Sequence, residues 1–255
     1  MRTFSRLRAF CAYSEQLERP SRRRDAAAAE GTKLHRYVEQ WVRCAAEGRP
    51  FHFDGAASDQ VRGWLQRLTE SWTPPAGLEM EVPLGLAAGT EQPEYVAVDE
   101  PADHRYVPAS LGITTATWAA ASEEQRTQWQ ATLLTAGRAD LVAPPRAGVV
   151  AVDDIKTGQS YLGDPKLLRQ LLAQGIAATL RAGAEGFVPG IYYARLGIWD
   201  RGDAEPIWRD SHEWDQAWDW VVEAAQMPAQ PQPGAWCLSC WEKDGCEGYP
   251  GREAA

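Results

Sequence analysis

The stretch from Gly148 to Gly158, GVVAVDDIKTG, constrains the fold more than any other part of the chain. It begins as an apolar, β-branched run, which predicts a buried strand. Asp153, Asp154 and Lys156 then follow before the chain turns. Burying a charge without a partner is costly, so these side chains need each other, a metal ion or a ligand. Asp154 and Lys156 are two residues apart and therefore project to the same side of the strand.

The composition is that of a soluble globular protein, which we expect in the cytoplasm and not in a membrane. No apolar run reaches the roughly 18 residues of a membrane helix, and the basic start lacks the apolar core of a signal peptide. The net charge of −9 argues against a surface covered with non-specific DNA-binding groups. Residues 1–24 nevertheless contain seven arginines and two glutamates, a local charge of +5. This segment is either a solvated tail or an arm that binds phosphates.

Hydrophobic patterns predict an α/β fold in which helices flank a central mixed sheet. Two strands, 135–145 and 148–154, are expected to pair as a hairpin. Asp164 suits the start of the clearest helix and Gly183 its end. Residues 87–130 are interpreted as an insertion that decorates the core. The predicted helices are 26–47, 57–72, 164–183 and 211–226, and the other predicted strands are 78–86 and 187–197.

Polar residues at four places in this predicted fold are candidates for one site. His35 lies on the first long helix, and Asp140 ends the strand GRAD. Asp154 and Lys156 end the next strand, and Gln170 lies one turn into the helix that follows. Each has a plain structural explanation, such as a histidine at a helix border or a surface ion pair. Their occurrence together in this order favours a shared chemical role.

Hairpin pairing would bring Asp140 and Asp154 within reach of one cation. Two carboxylates, the His35 imidazole and a backbone carbonyl, that of Ile155, suit Mg²⁺ or Mn²⁺. Such a metal polarises a phosphodiester and lowers the pKa of its bound water. Lys156 would orient the attacking water or neutralise charge on the phosphate. The pattern therefore indicates cleavage of phosphodiester bonds.

The motifs GTKLH, GRADLV, VDDIKTG and RQLLAQ, in this order, resemble those of the PD-(D/E)XK nuclease superfamily. The resemblance is closest to the RecB-like branch, which includes the AddB helicase–nuclease subunit and the CRISPR-associated adaptation exonucleases. It implies a restriction-endonuclease-like core in which His35, Asp140 and Asp154 bind the metal. Lys156 is then the catalytic lysine, and Gln170 is the family's glutamine that packs near the site.

The resemblance covers roughly residues 31 to 246 without the segment 87–130, and one departure from the family lies on the helix after VDDIKTG. Relatives often carry a tyrosine where this chain has Gln174, so the role of that tyrosine does not transfer. Some relatives carry a further acidic residue on the strand that here contains Glu79 and Glu81. The implied organisation is a basic segment with a first cluster cysteine, a nuclease domain and a C-terminal cysteine segment, at 1–25, 26–226 and 227–255.

Five cysteines are present, Cys11, Cys44, Cys237, Cys240 and Cys246, and an odd number without an export signal argues against a disulfide framework. Three of them lie in WCLSCWEKDGC, which is typical of a metal site. RecB-like relatives with a [4Fe–4S] cluster place three cysteines after the nuclease core and one before it, which implies Cys11, Cys237, Cys240 and Cys246 here. The cluster would join the two ends of the chain. Cys44 competes as the fourth ligand, and Zn²⁺ is the alternative metal.

These features predict a metal-dependent deoxyribonuclease, specifically an exonuclease on single-stranded DNA or duplex ends. The alternative is a non-catalytic module that keeps the fold and binds DNA ends or a partner. A redox protein would leave Asp140, Asp154 and Lys156 without a role. The sequence has no helicase motif, so unwinding would need a helicase or a recombination or integration partner. DNA repair and recombination, phage DNA processing and CRISPR adaptation are all compatible with such a nuclease.

Overall fold

The structure is a computed structural model, and it describes residues 2–3, 25–89, 92–102, 105–157, 165–200 and 205–226. It confirms an α/β architecture with a mixed central sheet between helices. In chain order, the elements are β1 (Arg2–Thr3), α1 (Asp25–Ala46), α2 (Asp59–Ser71), β2 (Glu79–Ala88), β3 (Pro93–Val96), β4 (Val98–Ala102), β5 (Arg105–Pro108), α3 (Thr115–Ala120), α4 (Glu123–Gln130), β6 (Thr135–Val142), β7 (Val149–Lys156), α5 (Pro165–Ala182), β8 (Gly186–Tyr193), β9 (Ile198–Asp200), β10 (Ile207–Trp208) and α6 (His212–Gln226).

The central sheet has the order β10-β8-β7-β6-β2-β3. Strands β7 and β8 are parallel, whereas β6 and β7 form the predicted antiparallel hairpin. The short strand β1 runs parallel to β6, and β9 folds back on β8. Strand β3 lies within the region interpreted as an insertion, yet it pairs with β2 at the edge of the central sheet. The insertion is therefore partly built into the sheet, and β4 and β5 form a separate hairpin.

Helices pack on both faces of the sheet because each face is apolar. Helices α1 and α2 cover one face, and α5 and α6 cover the other. Full burial of one such aliphatic or aromatic side chain contributes about 1.5–3 kcal/mol, so the two cores fix the sheet between the helix pairs. The first core includes Leu34, Val61, Leu65, Leu141, Ile155 and Tyr192; the second includes Val152, Ile176, Phe187, Trp214 and Val221.

The C-terminal end of the helix after β7 lies where the sequence predicts it. Helix α5 stops at Ala182, and Gly183 takes the left-handed conformation with φ 62° that commonly terminates helices. The proposed cap, Asp164, lies outside the described residues. Within the described part of the chain, none of the helices is sufficiently long and apolar to cross a membrane.

Four predicted cluster cysteines, Cys11, Cys237, Cys240 and Cys246, also lie outside the described residues, as do the basic segment from residue 4 to residue 24 and the C-terminal segment 227–255. Cys44 is described. It is half-buried on α1 with a free thiol.

Candidate metal centre at a fork in the sheet

The strands that carry the two predicted aspartates separate where those aspartates lie. Strand β7 pairs with β6 only at Leu141 with Asp153 and at Val142 with Val152. Continuing this register would place Asp140 directly opposite Asp154. Instead, the Ile155 N–H donates to Asp140 Oδ2 at 2.7 Å. A buried N–H needs an acceptor, and here a carboxylate replaces the missing backbone carbonyl. We call this opening between β6 and β7 the fork.

On the β7 side of the fork, Asp154, Lys156 and Gln170 form one contact group. Asp154 is buried, with 2% of its surface exposed. Its Oδ2 forms an ion pair with Lys156 Nζ, and its Oδ1 accepts a hydrogen bond from Gln170 Nε2 at 2.8 Å. The Asp-x-Lys pair is thus a buried ion pair instead of a surface one. Such charge-assisted contacts hold the carboxylate and the ammonium group in fixed positions.

Helix α1 brings His35 to the fork because a glycine allows close packing. A Cβ atom at Gly31 would lie 2.7 Å from Thr157 Oγ1, directly after β7, so a larger residue would require the Thr157 side chain or the helix to shift. One turn later, His35 Nε2 lies 3.3 Å from the Ile155 carbonyl oxygen and 3.7 Å from Asp140 Oδ2. Helix α1, the end of β7 and the His35 imidazole therefore lie close together at the fork.

Glu81 on β2 also belongs to this cluster, although the sequence alone does not distinguish it from Glu79. Its Oε1 lies 3.0 Å from His35 Nδ1. Ligand atoms of His35, Glu81 and Asp140 all lie within 4.8 Å of one another. Glu81 adopts φ 50°, a left-handed conformation that costs a non-glycine residue on the order of 1–3 kcal/mol and is often found at functional sites.

The charges at the fork perturb one another strongly. Burial, together with the charge of Asp154, raises the pKa of Asp140 to about 7. Burial opposes a charged imidazole, but Asp140, Glu81 and Asp154 outweigh it and raise the pKa of His35 to about 9. Burial likewise opposes ionisation of Glu81, yet the hydrogen bond and charge of His35 lower the pKa of Glu81. A buried site in which carboxylates outnumber cationic groups favours the binding of a cation.

The residues at the fork fit a hard divalent cation. An imidazole nitrogen, two carboxylates and a backbone carbonyl are ligands that Mg²⁺ and Mn²⁺ accept. His35, Asp140, Asp154 and the Ile155 carbonyl are the groups that would hold it. The buried Oε1 of Gln170 receives no hydrogen bond from any residue that the structure describes. This oxygen is therefore an acceptor beside Asp154 that is still available to a water molecule.

Gln174 lies one turn after Gln170 on α5, at the position where the nuclease family that the sequence resembles often carries a tyrosine. Its side chain is fully buried, and its Nε2 donates to the Arg138 carbonyl oxygen at 2.7 Å. This bond ties α5 to β6 two residues before Asp140. Gln174 thereby supports the strand that carries one of the two carboxylates.

Comparison of the whole sequence with protein-family models finds no matching family, and comparison with curated proteins finds no match. The chemistry of the site therefore has to be inferred from its own donor atoms, charges and geometry.

Proposed function

We propose that this protein is a metal-dependent deoxyribonuclease that hydrolyses phosphodiester bonds in single-stranded DNA or at duplex ends. The observation that carries the proposal is the convergence of His35, Asp140, Asp154 and Lys156 at the fork. A structural ion pair would not require a histidine and a second buried carboxylate beside it. The restriction-endonuclease-like core and membership of the RecB-like nucleases are parts of the same proposal.

Each residue at the fork has a defined task in this reaction. A bound Mg²⁺ or Mn²⁺ would supply Lewis-acid polarisation of the phosphate and a water of lowered pKa. Lys156, held by Asp154, donates N–H groups toward the attacking water and neutralises charge that develops on the phosphate. Gln170 fixes the Asp154 carboxylate through its amide N–H and offers Oε1 to the water. Preorganised groups of this kind need no rearrangement at the moment of reaction.

DNA binding would draw on the basic N-terminal segment. The seven arginines of residues 1–24 give that segment +5, although the whole chain carries −9. Its residues Arg2 and Thr3 pair with Thr135 and Ala136, on the strand that carries Asp140. Arginines neutralise backbone phosphates, so we expect affinity for DNA to fall as salt concentration rises.

The four predicted cluster cysteines are assigned a structural role in this proposal. Cys11, Cys237, Cys240 and Cys246 would hold a [4Fe–4S] cluster, and tetrahedral Zn²⁺ is the alternative. Iron, sulfide and zinc analysis of anaerobically purified protein, together with its visible absorption spectrum, separates the two. One zinc ion per chain without iron would replace the cluster in the proposal.

A nuclease assay tests the proposed activity. The anaerobically purified protein is incubated with end-labelled single- and double-stranded DNA in Mg²⁺, Mn²⁺ or EDTA. Asp154→Ala and Lys156→Ala are expected to lower the cleavage rate at least about 10³-fold, the scale of losing a group that stabilises the transition state. EDTA is expected to abolish cleavage, and the position of the label gives the polarity.

Matched controls separate the site from general effects of charge. Lys33, which is 44% exposed, pairs with Glu30 on α1, and Asp99 is exposed on β4. Lys33→Ala and Asp99→Ala are expected to cleave at the wild-type rate. Retained cleavage by the purified Asp154→Ala and Lys156→Ala variants would contradict the site. Intact, metal-loaded wild-type protein that binds DNA ends without cutting them would instead favour a non-catalytic binding module.

A further inference from the structure

We propose that Glu81 is a positioning residue that holds His35 in the orientation and tautomer needed for cation binding, and is not itself a ligand. This inference rests on the proposed metal-dependent function and names a role for a residue of the same site. It is carried by three observations on β2 and its neighbours: the direction of the Glu81 side chain, the partners of its two oxygens, and the atoms that face His35 Nε2.

At Glu81, the regular alternation of β2 side chains between the two faces of the sheet is broken. Glu79 binds Arg181 of α5 through two contacts of 2.8 Å, on one face of the sheet. In a regular strand, Glu81 would project to that same face. Met80 and Val82 are also two residues apart, yet they pack into different cores. The φ of 50° at Glu81 accounts for this reversal, and it turns the carboxylate to His35.

Both oxygens of Glu81 have partners, as do those of Asp154, but Glu81 contacts His35 at Nδ1, whereas Asp140 and the Ile155 carbonyl face Nε2. Oε1 lies 3.0 Å from His35 Nδ1, and Oε2 lies 3.7 Å from the Arg138 guanidinium. Arg138 is held in turn by Glu100 at 2.7 Å. Glu100 lies on β4, in the segment interpreted as an insertion, and that segment therefore helps to fix Glu81. A carboxylate held in this way is suited to orient a neighbour.

The hydrogen bond determines which imidazole nitrogen remains for a cation. An ionised carboxylate only accepts hydrogen bonds, so Nδ1 must carry its hydrogen. The other nitrogen, Nε2, faces Asp140 Oδ2 and the Ile155 carbonyl oxygen, which are the proposed ligand atoms. Metal-binding histidines commonly donate their second N–H to a carboxylate, and loss of that partner typically lowers metal affinity about 10- to 100-fold.

Mn²⁺ titration by calorimetry, without DNA, tests the role of Glu81. Glu81→Gly removes the carboxylate and tolerates the left-handed backbone, and we expect its Kd for Mn²⁺ to rise about 10- to 100-fold with one site retained. Glu81→Gln keeps an acceptor oxygen and is expected to recover part of the affinity. In ¹⁵N NMR spectra with Mg²⁺, His35 should show a hydrogen on Nδ1 in the wild type and lose this preference in Glu81→Gly. Glu79→Gln, on the same strand, is the control and should bind Mn²⁺ like the wild type.

Two results would overturn the inference. Mn²⁺ affinity of Glu81→Gly within about two-fold of the wild type would mean that Glu81 does not position His35, since outer partners normally have larger effects. Loss of the site as complete as in Asp140→Ala would make Glu81 a direct ligand. Thermal unfolding of each metal-free variant verifies that it is folded. If Glu81→Gly does not fold, the Mn²⁺ affinity of Glu81→Gln decides whether Glu81 positions His35. The titration is independent of DNA cleavage, so failure of the proposed nuclease activity would be recognised separately.

Discussion

Strand β7 pairs with β8 along all eight of its residues but with β6 at only two positions. On the β8 side, the continuous ladder joins apolar side chains into the two cores. On the β6 side, the ladder opens where Asp140 and Asp154 would face each other, and a carboxylate takes the place of a backbone acceptor. Strand β7 thus contributes to the hydrophobic cores along its β8 edge and carries the proposed site along its β6 edge.

This contrast explains why the polar groups are tolerated in the interior. Unpaired buried carboxylates are costly, and Asp140 and Asp154 lie at the place where β6 and β7 lack regular pairing. The continuous β7–β8 ladder provides the rigid frame on which Lys156 and Asp154 are held. Substitutions on the two sides should therefore have different consequences.

The largest expected effect on stability lies on the fully paired side. Phe187 on β8 is fully buried, and its ring packs against Trp214 of α6 at 6.0 Å between centroids. Phe187→Ala is expected to lower the free energy of unfolding by about 3–5 kcal/mol, as measured by urea denaturation. The folded variant should bind Mn²⁺ like the wild type, and an altered Kd would show that the two sides of β7 are not separate.

The next effect is a pH dependence that arises at the fork. The pKa of His35 is raised from 6.5 to about 9 by Asp140, Glu81 and Asp154, against the effect of burial. The charged imidazole therefore stabilises the metal-free fold fully below pH 6.5, and this contribution disappears as the pH rises through 9. We expect the free energy of unfolding to fall by about 1–3 kcal/mol across this window.

Denaturation of the metal-free protein in EDTA at a series of pH values measures this effect, with His35→Asn as the control. The variant should lose the dependence between pH 6.5 and 9. A wild-type free energy of unfolding that rises over the same window would contradict the assigned charges.

A smaller effect is expected from removing one of the two opposed carboxylates. Burial and Asp154 raise the pKa of Asp140 to about 7, so its ionised form is unfavourable at pH 8. Asp140→Asn stays neutral and keeps an acceptor for the Ile155 N–H. We expect the metal-free variant to gain on the order of 1 kcal/mol at pH 8 while it loses Mn²⁺ binding. A variant that is less stable and still binds Mn²⁺ would contradict the account of the fork.

The smallest effect is expected at the surface ion pair on β2. Arg181 holds Glu79, which is 51% exposed, and lowers its pKa. Exposed pairs contribute only about 0–1 kcal/mol, so Glu79→Gln should lower the free energy of unfolding by no more than that. Thermal unfolding measures the change. A larger loss, or a weaker Mn²⁺ affinity, would mean that β2 transmits strain from Glu79 to Glu81.

Local patterns in the sequence were sufficient to predict most of the helices and strands around the site. The alternation and turn residues around 135–154 predicted the hairpin, and Gly183 predicted the end of α5. The predicted hairpin and the order of the motifs grouped His35, Asp140, Asp154, Lys156 and Gln170 into one candidate site. The structure brings these residues together at the fork.

The rest depends on contacts between distant parts of the chain. LEMEVPLGL reads as regular alternation, so it does not reveal that the backbone reverses at Glu81. In the folded chain, that reversal turns the carboxylate to His35 and Arg138, which are distant in sequence. Pairing of β3 with β2, and of two residues at the N-terminus with β6, likewise involves segments too short for a period to be recognised.

Anomalous diffraction from crystals soaked in Mn²⁺ would show whether the fork binds a cation. We predict a manganese peak in the fork, about 2.0–2.3 Å from the ligand atoms. These should be His35 Nε2, Asp140 Oδ2, an Asp154 oxygen and the Ile155 carbonyl oxygen, with Glu81 still bonded to His35 Nδ1. A soaked crystal with no peak in the fork, or with manganese bound elsewhere on the chain, would contradict the claim that β6 and β7 separate to hold a cation.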